Sequence, residues 1–301
     1  MPNLSVAIIG CEQIAHLHAW SHMENLEIAA VCDASASIAA ATAEHFPGSS
    51  VHTEVLPMLA SQKFDIVDVC LPAHLQYEVC AAALIAGSNV LCTVPFTGSV
   101  DKAQALVDLS QRSGKLLLPS FSLRFHSLIH QMLEMLEEDD FGRVSLFRCR
   151  LAAAYPKDSP PSGAMLNTAL HGVDLYRACC GEVMLSNRIA LVADPVHSVD
   201  DVAVVSMHNE WSAGVVEALW SDIDTESSIE LTGTVGACKI DLVADTMRSI
   251  TATWDTWRRA QGSSETPTEG LFMHVINILL RGEKPALTAD DGVKALQLCL
   301  G

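Results

Sequence analysis

The first 120 residues alternate between short apolar runs and segments with helical character. The apolar runs lie at residues 4–9, 28–32, 66–71, 89–93 and 115–119, and the helical segments at 14–23, 35–46, 54–61, 75–86 and 100–112. Strands that are apolar throughout and separated by helices are typical of a parallel sheet that is covered on both faces. The sequence therefore predicts an α/β domain with a doubly wound parallel sheet over residues 1–120.

The pattern changes after a boundary segment at residues 120–125. Polar and apolar residues alternate at 144–152, 202–208, 214–220, 228–232, 239–243 and 249–254, and helices are predicted at 126–140, 166–180, 272–280 and 290–300. Alternation with a period of two is typical of an antiparallel sheet with one covered face. Residues 121–301 are therefore predicted to form an α+β domain with a large, open, mostly antiparallel sheet.

Composition narrows the range of partners. The chain has 301 residues, half of them hydrophobic, which is enough for a sizeable core, and its net charge is -18. A surface this acidic repels phosphate backbones and anionic lipid, so we expect neither a nucleic acid nor a membrane as partner. The uncharged run 79–100 is interrupted by glycines and Pro95, which argues against a membrane helix.

The ten cysteines are scattered along the chain and form no C-x-x-C pair. Several lie inside apolar runs, as small buried hydrophobic residues do. The N-terminus has no basic segment before its apolar stretch, so it does not have the pattern of a secretory signal. These features predict a cytoplasmic protein with reduced cysteines.

A turn with nucleotide-binding character follows the first predicted strand. Gly10 begins it, Gln13 and Ile14 lead into the first helix, and Asp33 ends the second strand. A glycine allows a tight turn, a helix N-terminus attracts a pyrophosphate, and the acid accepts hydrogen bonds from ribose hydroxyls. Glu12 occupies the place of the second glycine and brings bulk and like charge, so a strand–helix turn that binds nothing stays open as an alternative.

Five ordered segments extend this pattern across the chain: VAIIGCEQIAHLH from residue 6, DIVDVCLPAHLQYEVCAAALIAGSNVLCTVPF from 65, SFSLRFH from 120, SGAMLNTALHGVDLY from 162 and LLRGEKPALTADDGVKALQL from 279. Together they resemble the Gfo/Idh/MocA family, which includes glucose-fructose oxidoreductase and inositol 2-dehydrogenase. The resemblance implies an N-terminal Rossmann domain and a C-terminal domain whose open sheet forms a homodimer or homotetramer. It also implies NAD(P)-dependent oxidation or reduction of a sugar, cyclitol or related polyol.

The resemblance places the candidate cofactor residues at the ends of predicted strands. Beyond the first turn and Asp33, the candidates are Leu71, Pro72, His74, Gln76, Thr93, Val94 and Pro95. NAD is expected rather than NADP, because Asp33 repels a 2′-phosphate and no arginine follows it closely.

The resemblance also supplies candidates for proton transfer and substrate binding. His171 matches the family's general acid/base, and a histidine suits that role near neutral pH. Asn167 lies one helical turn earlier, where the family has an aspartate. The remaining substrate-binding candidates are Arg124, Tyr155, Lys157 and Asp174.

The departures from the family pattern leave two classes of function open. The family's usual Glu-Lys-Pro is Thr93-Val94-Pro95 here, so the lysine that assists proton transfer is missing. One class is an NAD-dependent oxidoreductase with an altered proton-transfer set. The other is a non-catalytic relative that acts as a ligand sensor or as a regulatory or structural partner.

Two histidine pairs have the spacing of metal ligands on a helix. His18 and His22 form one pair, and His126 and His130 form the other. No third ligand is apparent near either pair in the sequence, so we expect no metal site.

Overall fold

The computed structural model describes residues 3–156, 162–196, 198–223, 225–251, 254–259 and 266–301. The chain divides into two compact units, one of residues 1–122 with 268–294 and one of residues 123–267 with 295–301. The first break lies inside the boundary segment at 120–125. Residues 268–294, which the sequence prediction includes in a second domain over residues 121–301, cluster with the first unit. These belong to the first unit because the ring of Phe272 packs against His16 and Trp20, at centroid distances of 5.0 and 4.2 Å.

The first unit contains the predicted parallel sheet. Within the described residues its strands follow the order β3-β2-β1-β4-β5-β6, and they are β1 (Leu4–Ile9), β2 (Leu26–Cys32), β3 (Ser50–His52), β4 (Ile66–Val69), β5 (Asn89–Cys92) and β6 (Leu117–Pro119). The intervening helices are α1 (Ile14–His22), α2 (Ala36–His45), α3 (Val55–Ser61), α4 (Ala73–Ile85) and α5 (Val100–Ser113). This strand order reverses between β1 and β4, the switch point at which doubly wound sheets bind ligands.

One strand of this sheet has no apolar run to reveal it. The edge strand β3 has only three residues, and its first two are exposed. It pairs with β2 from Ala30↔Ser50 to Cys32↔His52. A short edge strand needs little apolar surface, so the sequence pattern gives no signal for it.

The second unit is built on the predicted open sheet. Its described strands follow the order β14-β13-β12-β11-β7-β10-β9-β8, and they are β7 (Val144–Ala153), β8 (Leu185–Leu191), β9 (Val202–His208), β10 (Ala213–Trp220), β11 (Ser228–Gly233), β12 (Gly236–Asp241), β13 (Thr246–Thr251) and β14 (Asp255–Arg259). Strands β7 and β10 pair in parallel and the other neighbours are antiparallel. The predicted fold class is confirmed, while the edge strands β8 and β14 were not expected, because their residues are mostly exposed and do not alternate.

The strand register separates the two faces of this sheet. One row across it is almost completely buried and consists of Met247, Ile240, Ile229, Cys149, Val216 and Val205. The adjacent row faces the other way and is at least partly exposed, and it consists of Trp257, Arg248, Lys239, Glu230, Arg148, Val215, Ser206 and Asn187. We call this second row the open face.

Helices α6 (Ser127–Glu137) and α7 (Leu170–Cys180) belong to the second unit, and α7 is preceded by a π-helical turn, Met165–Ala169. Helices α8 (Pro267–Arg281) and α9 (Ala289–Leu300) follow the open sheet in sequence. Among the described residues, no helix combines the length and apolar character needed to cross a bilayer. The ten cysteines are free thiols, and eight of them are buried.

Candidate active site

The turn after β1 requires glycine for two separate reasons. Gly10 has a backbone φ of +84°, in the left-handed region that favours glycine. A Cβ atom at this position would overlap the carbonyl oxygen of Cys70 and would lie 3.0 Å from Cδ2 of Leu71. The turn after β1 therefore touches the loop after β4 at the switch point of the sheet.

Asp33 is fixed at the end of β2 by backbone amides. Its Oδ2 accepts a hydrogen bond of 3.0 Å from the N–H of Cys11, and its Oδ1 accepts one of 2.8 Å from the N–H of Ser35. The carboxylate thereby joins the turn after β1 to the start of α2. It remains partly exposed, so it can also meet a ligand from solvent.

The first turn of α1 is open to solvent. Glu12, Gln13 and Ile14 are all exposed, and 79% of Ile14 is accessible. Gln13 is the N-cap residue, yet its side chain makes no capping hydrogen bond. The N–H groups of Ile14 and His16 donate to the carbonyls of Glu12 and Gln13, so this end of the helix attracts an anion chiefly through its partial positive charge. Glu12 lies beside this helix end, and its negative charge repels an anion.

The loops after β4 and β5 are joined by Gln76. Its buried Nε2 donates to the carbonyl of Leu71 at 2.7 Å, to Oγ1 of Thr93 at 2.9 Å and to the carbonyl of Pro95 at 3.3 Å. These contacts make Gln76 a residue that positions both loops. Its predicted direct contact with a cofactor stays a prediction.

The other candidates in these loops differ in their exposure. Pro72 is the N-cap residue of α4, and it and His74 are exposed, whereas Val94 is half-buried and Pro95 is buried. All of the cofactor candidates follow the carboxyl ends of β1, β2, β4 or β5. They therefore lie at one edge of the parallel sheet, where such sheets bind their ligands.

His171 lies in the first turn of α7 in the second unit. The residue is partly exposed, but its Nδ1 atom is buried. Burial lowers the pKa of His171 to about 4. The imidazole is therefore neutral at neutral pH, which is the protonation state of a general base.

Asn167 is held inside the π-helical turn that precedes His171. Its Nδ2 donates to the carbonyl of Ser162 at 2.6 Å, to the Ser162 hydroxyl at 3.0 Å and to the carbonyl of Gly163 at 3.0 Å. Single π-helical turns are rare and occur frequently at functional sites. The sequence predicts a regular helix here, so the π turn and the tethering of Asn167 were missed.

Arg124 and Asp174 bind each other. The Nε and Nη2 atoms of Arg124 donate to the two carboxylate oxygens of Asp174 at 2.7 and 2.5 Å. The exposed fractions of the two side chains are 10% and 1%. Because both oxygens of Asp174 accept from one guanidinium, the geometry favours a role in fixing α7. Their direct contact with a substrate stays a prediction.

Tyr155 and Lys157 are the two remaining substrate-binding candidates. Tyr155 donates a hydrogen bond of 3.3 Å to Oδ2 of the buried Asp201. Partial desolvation and, after it, the charge of Asp201 raise the pKa of Tyr155, so its hydroxyl stays protonated at neutral pH. Lys157 lies outside the described residues.

A buried polar network beneath the first unit's sheet edge was not predicted. His16 contacts Oδ2 of Asp68 through Nδ1 at 3.0 Å and the hydroxyl of Ser120 through Nε2 at 3.2 Å. Trp20 donates to the same Asp68 oxygen at 2.7 Å. Asp68 lies in the apolar run of β4, and a single acid in a buried strand was the signal that could have revealed it.

The expectation that the His18–His22 pair has no third ligand is wrong. Glu269 on α8 brings its Oε1 atom to 2.8 Å from Nδ1 of His22 and 3.7 Å from Nδ1 of His18. It is 247 positions from His22 in sequence, so local spacing could not indicate it.

Residues 4–121 match the family model GFO_IDH_MocA, described as an oxidoreductase family with an NAD-binding Rossmann fold. Residues 4–121 belong to this family. The resemblance drawn from the sequence motifs is therefore confirmed, and the match covers all six strands of the first sheet.

Named relatives extend the similarity in sequence. The chain is 31% identical to D-glucoside 3-dehydrogenase of Escherichia coli over 57% of this chain and 52% of that protein. It is 24% identical to D-apiose dehydrogenase of Paraburkholderia graminis over 97% and 84% of the two chains. The alignment with the first of these spans about half of the relative's length.

Solved structures show the same fold across both units. Levoglucosan dehydrogenase in complex with NADH and L-sorbose has a TM-score of 0.90 at 20% identity, and the match covers 99% of this chain and 95% of that one. UDP-N-acetylglucosamine 3-dehydrogenase from Acidithiobacillus ferrooxidans has a TM-score of 0.87 at 19% identity, over 100% and 96%.

Proposed function

We propose that this protein is an NAD-dependent oxidoreductase that acts on a CH–OH group of a sugar, cyclitol or related polyol. The observation that carries the proposal is the junction at the switch point. There the Gly10 turn meets the loop after β4, and backbone amides hold the Asp33 carboxylate at the end of β2. The relatives named as dehydrogenases of D-glucosides and D-apiose support the substrate class.

The residues present fit a dinucleotide. The tight turn at Gly10 lets the backbone after β1 pass close to the loop after β4, and the N-terminus of α1 at the end of this turn favours a phosphate. Asp33 is placed to accept hydrogen bonds from ribose hydroxyls. When bound, NAD supplies the hydride acceptor or donor for the reaction.

The same carboxylate supports NAD rather than NADP. The Asp33 carboxylate repels a 2′-phosphate, and neither Ala34 nor Ser35 carries a positive charge that would offset this repulsion. We expect weaker binding of NADPH than of NADH in a fluorescence titration. Equal affinities would contradict this assignment of Asp33.

Proton transfer is assigned to His171. Because burial lowers its pKa to about 4, the neutral imidazole can accept the hydroxyl proton of an alcohol at neutral pH. Val94 has no proton to exchange, so His171 carries this step without a lysine at that position. Asn167 and the Arg124–Asp174 pair hold the first turns of the helix that carries the imidazole.

The test is a screen of sugars, inositols, polyols and keto-sugars with NAD⁺ or NADH. General acid-base catalysis contributes about 10²–10⁴-fold, so His171→Ala should lower kcat by that factor while the Kd for NADH is unchanged. The exposed His208 in the same unit offers the matched control, His208→Ala. Full activity in His171→Ala would refute the assignment of the base.

The same screen decides between the enzyme and a non-catalytic relative. Val94→Lys restores the family's lysine, and it should raise turnover if the substrate lies within its reach. Wild-type protein that binds NADH and turns over none of these compounds, with activity gained in Val94→Lys, would support the ligand-sensor or regulatory alternative.

We further propose a cytoplasmic homodimer or homotetramer that assembles through the open face. Free thiols fit a reducing compartment. The open face carries Trp257, which is 69% exposed, and the half-buried Val215 near the middle of the sheet. Val215→Glu should shift the mass in light scattering towards the monomer, whereas Ile223→Glu at a 95% exposed site outside the strands should not. A wild-type monomer would contradict the proposal.

A further inference from the structure

Three metal-ligating side chains meet on the first unit. His18 and His22 lie one turn apart on α1, and Glu269 lies in the first turn of α8. One ring nitrogen of each histidine and a carboxylate oxygen all lie within 4.8 Å of one another. None of the three belongs to the turn after β1 or to the residues proposed for proton transfer. They form a separate cluster, which we call the α1–α8 cluster.

The distances in this cluster are close to those between the ligand atoms of a tetrahedral ion. Zinc bonds to histidine nitrogen and carboxylate oxygen are about 2.0–2.2 Å long, which places neighbouring ligand atoms about 3.3–3.6 Å apart. The Glu269 oxygen lies 2.8 Å from Nδ1 of His22 and 3.7 Å from Nδ1 of His18. The first distance must lengthen and the second is already close to the tetrahedral spacing, and the exposed histidine side chains can make these adjustments.

The α1–α8 cluster combines one buried ligand with two exposed ligands, and this arrangement suits a cation that enters from solvent. Glu269 is 4% exposed, so the surrounding core holds its carboxylate in place. The side chains of His18 and His22 are each 55% exposed, so an ion can reach the cluster from solvent. One ligand is therefore fixed by the core, and two can adjust around the ion.

We propose that the α1–α8 cluster binds one divalent transition-metal ion, zinc foremost, with water in the remaining coordination position. Two imidazoles and one carboxylate are the ligand types that zinc takes when three protein ligands leave a fourth position open. The ion would link α1, the helix that follows the turn after β1, to α8. Its role would be to stabilise this pairing of helices.

The second histidine pair provides a matched control. His126 and His130 have the same spacing on α6, but they face different carboxylates, Asp245 and Glu134, each at 3.5 Å. Among the described residues, this pair does not belong to a group of three ligand atoms of the kind seen in the α1–α8 cluster. His130→Gln therefore removes an exposed imidazole without touching the proposed site.

The experiment is a calorimetric titration of the full chain with Zn²⁺, after treatment with a chelator and under reducing conditions. We expect one equivalent bound by wild type and by His130→Gln. His18→Gln and His22→Gln should each bind at least about tenfold more weakly, since even loss of an outer-sphere partner costs about 10–100-fold. Both substitutions are at exposed positions, so the fold should survive them.

Two further measurements distinguish metal binding at the α1–α8 cluster from metal binding by cysteines and from a hydrogen bond between His22 and Glu269 without metal. The Co²⁺ complex should lack a thiolate charge-transfer band, because the ligands are nitrogen and oxygen. Zinc should raise the unfolding temperature of wild type and not of His18→Gln. A wild type that binds no zinc, unchanged affinity in both histidine variants, or a thiolate band in the cobalt spectrum would overturn the proposal. The contact between His22 and Glu269 would then be a hydrogen bond only.

Discussion

Replacing Gly10 by alanine tests the junction at the switch point. The backbone φ of +84° costs a residue with a Cβ about 1–2 kcal/mol. The new methyl group must also displace the carbonyl of Cys70, whose carbon would lie 2.9 Å from it, and overpacking of this kind costs about 1–3 kcal/mol. Alanine returns about 0.4–1 kcal/mol by restricting the unfolded chain. Gly10→Ala should therefore lower the free energy of unfolding by about 1–4.5 kcal/mol.

Gly48→Ala is the matched control for this substitution. Gly48 has a φ of +96°, and a Cβ atom added there would have no neighbouring atom within 4 Å, so the variant carries the backbone cost and the entropy gain without the overlap. Its net cost should be about 0–1.5 kcal/mol. The difference between the variants isolates the contact with the loop after β4.

Thermal unfolding by circular dichroism and NADH titration measure the two consequences. At about 2–4 °C per kcal/mol for a unit of this size, Gly10→Ala should unfold several degrees below Gly48→Ala. Displacement of the Cys70 carbonyl should also weaken NADH binding in Gly10→Ala alone. Equal unfolding temperatures and equal NADH affinities in the two variants would refute the tight contact at the switch point.

Charge and burial lead to three more expectations. Glu12→Gly should tighten NADH binding about fivefold in a fluorescence titration, because a like-charge penalty of about 1 kcal/mol is removed from a solvated site; weaker binding would contradict the position assigned to Glu12. The pKa of His171 is about 4 in the folded protein and about 6.5 unfolded, so the unfolded state binds more protons as pH falls between these values. The free energy of unfolding in urea should therefore fall in that window by up to about 3 kcal/mol, and His171→Gln should flatten the slope. Asp174→Ala should cost about 3–5 kcal/mol in urea unfolding because it leaves the guanidinium of Arg124 without this carboxylate in a mostly buried site, while Asp255→Ala at an exposed pair should change little.

Periodicity was sufficient for the fold of both units. Apolar runs separated by helices predicted the parallel sheet, and period-two alternation predicted the open sheet, because both patterns record which faces are buried. The same logic explains what was missed. Strands β3, β8 and β14 lie at sheet edges, where few residues are buried, and they have no such pattern.

The part of the candidate site that could be predicted from the sequence consists of residues that lie next to the ends of predicted strands. Gly10 and Asp33 stand next to strand ends, so the pattern that predicts the strands also places them at one edge of the sheet. The sequence did not reveal that Gln76 joins two loops or that Asp174 is bound by Arg124. Hydrogen bonds between distant segments leave no periodic trace.

The two sheets, the turn after β1 and the position of His171 on a helix can all be predicted from local sequence patterns. That residues 268–294 belong to the first unit, and that Glu269 meets His18 and His22, is seen only once the chain is folded. Local patterns report the burial of each segment against solvent. They do not report which distant segment provides the cover, and that choice is made by packing between side chains such as Phe272 and Trp20.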